Sequence, residues 1–223
     1  MNGLARRICG GACSHWHATT GSPTLRSNWL LPLPITVRLF IAINLPNETR
    51  REVVAAVESL RQAAPELAWV REPLIHLTLK FLGEQPPEMV SQLQRSIDGV
   101  AACHRELLME LEGIGAFPNF RRARVVWLGI TPEARLELLH HDLEVACEEL
   151  GFEVEGRPFR PHLTLARVKQ ALAEPAARAL SRAAKQIDFR SEFVVRSIDL
   201  MQSERSPHGS TYNVLHAAPM RSG

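Results

Sequence analysis

The same four residues, His-Leu-Thr-Leu, occur twice in the chain, at residues 76–79 and 162–165. Side chains alternate along a β-strand, so His76 and Thr78 would share one face, as would His162 and Thr164. Imidazoles have an unperturbed pKa of about 6.5, so one can accept a proton from water while the other protonates a leaving oxygen. Threonine hydroxyls can donate to phosphate oxygens. The pattern predicts phosphodiester hydrolysis that needs no metal or other cofactor.

A single motif of this kind is more often an ordinary half-buried strand than a functional site. Its repetition favours the functional interpretation, although a duplicated strand can also keep the same polar residues for packing. If the two copies are related by a pseudo-two-fold axis, both histidine-threonine faces converge on one central ligand.

The motifs lie within a longer internal repeat whose offset is 86 residues, the spacing of His76 and His162. Apolar runs that start at Arg38 and Arg124 end at Pro46 and Pro132 with the same offset. Repetition over this length predicts a tandem duplication. Each copy reads as strand, helix, strand, helix, and further segments complete the prediction: helices at 87–102 and 173–187, and strands at 107–117, 189–201 and 211–216.

The predicted fold is α+β, with two pseudo-symmetric lobes, each a mostly antiparallel sheet packed with helices, and an active-site cleft between them. This domain is expected to cover residues 37–218. Residues 1–36 are rich in Gly, Ser, Thr and Pro without a structural period and are predicted to be a disordered extension. Metal-type residues in that extension match no standard zinc spacing: Cys9, Cys13, His15 and His17.

The amino-acid composition limits the kinds of partner that the protein can bind. The chain has 26 Lys and Arg against 24 Asp and Glu, a formal charge of +2, which excludes a strongly basic domain that binds long nucleic acid through many phosphates. Any RNA ligand should be a terminus held in a local site. The apolar stretches are too short to span a membrane. The cysteines form no disulfide framework, and a cytoplasmic protein is expected.

The chain resembles the two-histidine phosphoesterase superfamily, and within it the bacterial and archaeal RNA 2′,3′-cyclic phosphodiesterases, historically named 2′-5′ RNA ligases. The resemblance covers about residues 37–217. Five segments carry it: RLFIAINLP (38–46), HLTLKFLGE (76–84), AFPNFRRARVVWLGI (116–130), FRPHLTLARV (159–168) and GSTYNVL (209–215).

The resemblance implies that the protein opens a terminal 2′,3′-cyclic phosphate to a 2′-phosphate. His76 would be the general acid and His162 the general base, labels that pseudo-symmetry allows to be exchanged, and Thr78 and Thr164 would hold the phosphate. The partners implied are RNA 3′ ends with a cyclic phosphate, tRNA fragments among them. A monomer is expected because both lobes belong to one chain.

Three alternatives stay open. Joining or cleaving 2′-5′ linkages is the first, because it uses the same site. A non-catalytic module that binds RNA ends is the second, although a pure binder has no need of two proton-transfer groups. The third is a metal hydrolase with paired histidine ligands, which predicts metal in the purified protein.

Weaker candidates for RNA contact are Lys80, Arg121, Arg124 and Tyr212. Alternation places Lys80 on the same face as His76, near the phosphate. The same rule places Arg167 on the face opposite to His162 if the strand is regular. Phe40 is expected to pack in the core rather than stack on a base.

Overall fold

Both copies of the repeat fold as an apolar strand, a helical segment, a strand with the His-Leu-Thr-Leu motif and a second helix. The computed structural model describes residues 36–207 and 209–222. The strands are β1 (Val37–Asn44), β2 (Ala68–Trp69), β3 (His76–Gln85), β4 (Leu107–Phe117), β5 (Val125–Ile130), β6 (His162–Arg167), β7 (Arg190–Val195), β8 (Ser197–Ser206) and β9 (Gly209–Pro219). The helices are α1 (Asn47–Ala56), α2 (Glu58–Ala63), α3 (Met89–Ala101), α4 (Ala134–Glu148) and α5 (Glu174–Gln186).

The nine strands of the described chain form one antiparallel sheet in the order β7-β4-β5-β6-β3-β1-β8-β9, with β2 paired to β6. We call β7-β4-β5-β6 the His162 half and β3-β1-β8-β9 the His76 half. The halves meet where Leu77 of β3 pairs with Leu163 of β6. These leucines are equivalent residues of the two copies, so the local two-fold axis passes through their pair. The predicted α+β fold is confirmed, with the two lobes joined in a single sheet.

The last strand of each copy pairs in the half that contains the other copy's motif. In the His162 half, Gly115 and Phe117 of β4 pair with Trp127 and Val125 of β5. The equivalent contacts of β8 are made with β1 of the first copy. The predicted strand 189–201 is therefore two strands, because β7 pairs with β4 and β8 pairs with β1.

One continuous apolar core covers one face of the sheet in both halves. Leu77 and Leu163 lie in it, 1% and 0% exposed. Cys147 of α4 is also in the core, and burial raises the pKa of its thiol to about 11. α4 is followed by a turn in which Gly151, with a φ of 89°, donates its N–H to the carbonyl of Glu148.

The prediction for residues 1–36, including Cys9, Cys13, His15 and His17, concerns a segment that apart from Thr36 lies outside the described residues. It stays a prediction. In the part of the chain that the structure describes, no helix is long and apolar enough to cross a membrane.

Candidate active site

The two motifs are the first residues of β3 and β6, which lie on either side of the local two-fold axis. Because Leu77 and Leu163 are directly opposite and face the core, the residues on either side of them face the other way. His76, Thr78, His162 and Thr164 therefore lie on one face of the sheet, the site face, and all four are half-buried. The leucines thus anchor each strand in the core, while the polar residues line a common surface.

Both imidazoles are held by a backbone carbonyl two residues earlier in the chain. The Nδ1–H of His76 donates to the carbonyl oxygen of Leu74 over 2.8 Å, and that of His162 donates to the carbonyl oxygen of Arg160 over 2.7 Å. A carbonyl oxygen can only accept, so each Nδ1 carries the proton. In the neutral rings Nε2 therefore carries the lone pair, in the same relative position on both strands.

The surroundings of the two Nε2 atoms differ. Nε2 of His76 lies 3.0 Å from the hydroxyl of Thr78. Within the described residues, no such bond joins His162 to Thr164, and Nε2 of His162 is left available. The ring of His76 also contacts Phe40 and Tyr212, at centroid distances of 5.0 and 5.3 Å.

His162 is flanked by a different aromatic side chain. Phe117, at the end of β4, meets it edge-on with a centroid distance of 5.0 Å. The same Phe117 ring lies 5.2 Å from the indole of Trp127. Each imidazole thus has an aromatic wall, but the walls come from non-equivalent positions of the two copies.

A β-bulge in β6 brings Arg167 to the site face. The register with β5 skips Leu165, and Leu165 and Ala166 are both buried, 2% and 0% exposed. Two successive residues that face the core reverse the alternation beyond them. The regular strand that would place Arg167 opposite to His162 is therefore not present, and Arg167 shares the face of His162.

Burial lowers the pKa of both His76 and His162 below the ordinary value. The hydrogen bonds to the carbonyls of Leu74 and Arg160 raise these pKa values in part. The positive charge of Arg167 lowers both again. The Arg167 guanidinium is therefore near enough to both imidazoles to lower the pKa of each.

β3 contains the equivalent bulge, and it moves Lys80 away from the site. The register with β1 skips Leu79, and Lys80 is 7% exposed on the core side. Its Nζ donates to a Glu144 carboxylate oxygen over 2.6 Å and to the carbonyl of Glu153 over 2.8 Å. The prediction that Lys80 faces the phosphate with His76 is wrong, and the lysine forms a buried ion pair instead.

The residue that returns to the site face in β3 is Phe81. It is 66% exposed, an unusual position for a large apolar ring. It is the Cα partner of Phe40, whose ring lies 6.2 Å from its own. Phe81 and Arg167 are separated by the repeat offset of 86 residues, so they are equivalent positions in the two copies.

The paired motifs, the anchored imidazoles and the shared guanidinium can be compared with known proteins. A sequence profile described as "2'-5' RNA ligase superfamily" matches residues 49–207. The chain belongs to this superfamily. The family-level prediction from the sequence is thereby confirmed.

Several relatives in the superfamily bear the name RNA 2′,3′-cyclic phosphodiesterase. One from Geobacillus stearothermophilus is 31% identical over 82% of this chain, which spans 59% of that relative's length. Another from Archaeoglobus fulgidus is 32% identical over 80% of this chain and 98% of its own. The crystal structure of E. coli LigT complexed with 3′-AMP aligns with a TM-score of 0.67 and 27% identity, covering 83% of this chain and 99% of LigT.

Of the other residues predicted to contact RNA, Tyr212 contacts a histidine, whereas no contact joins Arg121 or Arg124 to His76 or His162 among the described residues. Tyr212 lies edge-on against His76, as noted above. Arg121 and Arg124 are exposed in the segment between β4 and β5, and the guanidinium that shifts both histidines is that of Arg167 instead. Within residues 36–207 and 209–222, no group of three or more His, Cys, Asp or Glu side chains is placed to hold a metal.

Sequence reasoning missed the site positions of Arg167, Phe81 and Phe117. A signal for the first was available: Leu165 and Ala166 are successive apolar residues that interrupt the alternation of the motif strand. The contact of Phe117 with His162 depends on the pairing of β4 with the second copy, which no local pattern reveals.

Proposed function

We propose that this protein hydrolyses the 2′,3′-cyclic phosphate at the 3′ end of RNA and leaves a 2′-phosphate. The observation that carries the proposal is the pair of imidazoles on one face of the sheet, each with Nδ1 bonded to a backbone carbonyl. Relatives that this chain matches over most of their length are named RNA 2′,3′-cyclic phosphodiesterase, which supports the same substrate class.

His162 is the general base in this proposal and His76 the general acid. Nε2 of His162 has no protein partner among the described residues, so its lone pair can take a proton from water. His76 has an acceptor at each nitrogen, the Leu74 carbonyl and the Thr78 hydroxyl. Both N–H groups of its protonated form are therefore satisfied, which favours the form that donates a proton to the leaving O3′.

Thr78, Thr164 and Arg167 hold the phosphate. The two hydroxyls occupy corresponding positions beside the axis, and Arg167 supplies a planar donor group with a permanent charge. Negative charge grows on the non-bridging oxygens in the transition state, so donors fixed in advance stabilise it. When the substrate anion binds, it opposes the Arg167 charge and raises the pKa of both imidazoles.

The terminal nucleoside lies on the His76 side, where Phe81 and Tyr212 offer aromatic surfaces for its base. An exposed ring such as Phe81 gains free energy when a base stacks on it, and stacking tolerates any base. The complex of LigT with 3′-AMP supports a site of nucleotide size. Since one chain supplies both histidines, we propose that it acts as a monomer on RNA ends, tRNA fragments included.

The test is turnover of an oligoribonucleotide ending in a 2′,3′-cyclic phosphate, with excess chelator present. His76→Ala and His162→Ala should each lower kcat/KM by about 10²–10⁴-fold, the range for loss of one proton-transfer group. The control is His141→Ala, an exposed position on α4. Turnover that persists in both variants, or a 3′-phosphate product, would rule out this mechanism. Binding of the oligonucleotide without turnover would favour the non-catalytic module. Inhibition of turnover by the chelator would favour the metal hydrolase.

A further inference from the structure

His140 of α4 has no part in the proposed reaction, yet its ring is stacked on the segment that leads to His162. The centroids of the His140 and Phe159 rings are 3.9 Å apart, and the planes of the two rings differ by 11°. Rings this close and this nearly parallel are in van der Waals contact over their faces. The side chain of His140 is 13% exposed, and burial lowers its pKa below the ordinary value.

The ring of His140 is also held along its edge. The carboxylate of Glu144, whose Oε1 lies 3.7 Å from Nε2 of His140, raises the pKa of this histidine in part. A hydrogen bond to the backbone of Leu79 raises it as well, and the charge of Lys80 opposes both effects. Leu79 is the residue that the register of β3 skips at its bulge. His140 therefore connects the strand of the first motif, at its edge, with the segment before the second motif, at its face.

Phe159 is the inward contact of the stretch that precedes the second motif. Residues 152–161 are all described, and they form neither helix nor strand. Between residues 153 and 160, Phe159 is half-buried and each of the other residues is exposed. Its ring also packs against the apolar core. The contacts of this one ring therefore set the position of the backbone at the end of the stretch.

The residue after Phe159 supplies the hydrogen bond that orients His162. The carbonyl oxygen of Arg160 accepts from the Nδ1–H of His162 over 2.7 Å. The equivalent carbonyl for His76 belongs to a turn of 3-10 helix, Glu72–Leu74, which its own backbone hydrogen bonds hold in place. No such turn is present at residues 158–161, all of which the structure describes. The orientation of His162 therefore depends on side-chain contacts to a greater extent than that of His76.

We propose that His140 is a positioning residue for His162. Its ring holds Phe159 in place, and with it the carbonyl of Arg160 that orients the imidazole. Where it concerns catalysis, this inference rests on the proposed function, with His162 as the general base. A hydrogen bond at Nδ1 selects the tautomer whose Nε2 can accept a proton, and a fixed ring keeps that Nε2 aimed at the attacking water. His140 itself transfers no proton.

The direct test is the tautomer of each active-site imidazole, measured from the ¹⁵N chemical shifts of the ring nitrogens at about pH 8, where both rings are neutral. In the wild-type protein both should carry the proton on Nδ1. His140→Ala should give His162 a mixture of the two tautomers and leave His76 unchanged, because the carbonyl that holds His76 lies in its own turn. His141→Ala, at the exposed neighbouring position on α4, is the matched control and should change neither ring.

Turnover of the cyclic-phosphate oligonucleotide measures the consequence for catalysis. His140→Ala should lower kcat about tenfold because the base is misplaced, while KM changes by less than about twofold because the substrate contacts remain. His140→Phe keeps a flat ring against Phe159 and should recover most of the lost kcat. Phe159→Leu removes the other ring of the stack and should reproduce the loss. The double variant with His140→Ala should lose little more than either single variant, because both act through one contact.

The outcomes separate this inference from the proposed function. A His162 tautomer and a kcat that change in His140→Ala and return in His140→Phe support the positioning role. An unchanged His162 tautomer in both His140→Ala and Phe159→Leu overturns it, and so does an equal disturbance of His76, which indicates a general loss of structure. Absence of turnover in the wild-type protein overturns the proposed function, and the tautomers still decide the role of His140. If His140→Ala fails to fold, Phe159→Leu supplies the same measurement.

Discussion

Protonation of His76 and His162 depends on three opposing effects at the scale of single residues. Burial lowers the pKa of each ring, the bond to a carbonyl raises it in part, and the Arg167 charge lowers it again. A base has to be neutral and an acid has to be protonated for the reaction to proceed. If the pKa of the base is the lower of the two, both requirements are met between the two pKa values. If the acid has the lower pKa, only a minor protonation state of the pair meets both.

The pH profile of kcat/KM should therefore be bell-shaped, with its maximum below about pH 6.5. The acidic limb arises as the base becomes protonated, and the alkaline limb as the acid loses its proton. Both limbs belong to free-enzyme groups whose pKa is lowered, which places the bell on the acidic side of ordinary imidazole. The measurement is initial rate at low substrate concentration between pH 4.5 and 9, and a flat profile would argue against two titrating imidazoles.

Arg167→Gln provides the internal check on this profile. Removal of the positive charge raises the pKa of both histidines, so the whole bell should move to higher pH, whatever happens to its height. Arg124→Gln, which removes an exposed arginine from the neighbouring turn, should leave the position of the maximum unchanged. An unshifted maximum in Arg167→Gln would contradict the charge coupling.

At the scale of the element, β-bulges decide which side chains reach the site. The apolar patterns of β3 and β6 are sufficient to predict strands, and the predicted segment 107–117 matches β4. The faces of Lys80 and Arg167 are not predictable in the same way, because one skipped residue reverses every side chain beyond it. Alternation is a good guide for His76 and Thr78, which precede the bulge.

The bulge in β3 also allows a buried ion pair to connect this strand to α4. Lys80 of β3 bonds Glu144 of α4, and Glu144 accepts in turn from the backbone N–H of Glu155 over 3.0 Å. Together with the bond from Lys80 to the carbonyl of Glu153, these contacts hold the segment that leads into β6. The buried ion pair thus connects the strand of one motif to the segment preceding the other.

Lys80→Met should lower the free energy of unfolding by about 3–5 kcal/mol, because Glu144 is left as a buried charge without its partner. The double variant Lys80→Met with Glu144→Leu should recover a large part of the loss. Urea unfolding measures both. Arg178→Ala removes the exposed pair with Glu174 on α5 and should change stability by less than about 1 kcal/mol. Equal effects of Lys80→Met and Arg178→Ala would contradict a buried role.

At the scale of the whole molecule, the duplication is visible in the sequence but the exchange of strands is not. The offset of 86 residues predicts two similar units with one central site, and the two-fold axis at Leu77 and Leu163 agrees with it. The repeat alone does not say whether β4 pairs with its own copy or with the next. That choice depends on long-range pairing, to which local periodicity is blind.

Because β4 and β8 are exchanged, the two halves should unfold together. A calorimetric scan of the described domain should show one transition, with calorimetric and van't Hoff enthalpies in agreement. Fragments 37–120 and 121–223, expressed separately, should each lack stable structure by circular dichroism, since each lacks strands that complete its sheet. Two resolved transitions, or a folded isolated fragment, would show that the halves are independent.

Phe81 and Arg167 occupy the same position in the two copies, yet one offers an aromatic ring and the other a charge. Two identical copies would have built a palindromic cleft, in which a bound RNA end has no preferred direction. The difference at this position adds to the other asymmetries of the two motifs, and in the proposed function it separates a nucleoside side from a phosphate side. Duplication within one chain permits that division of labour, because each copy is free to change without changing the other.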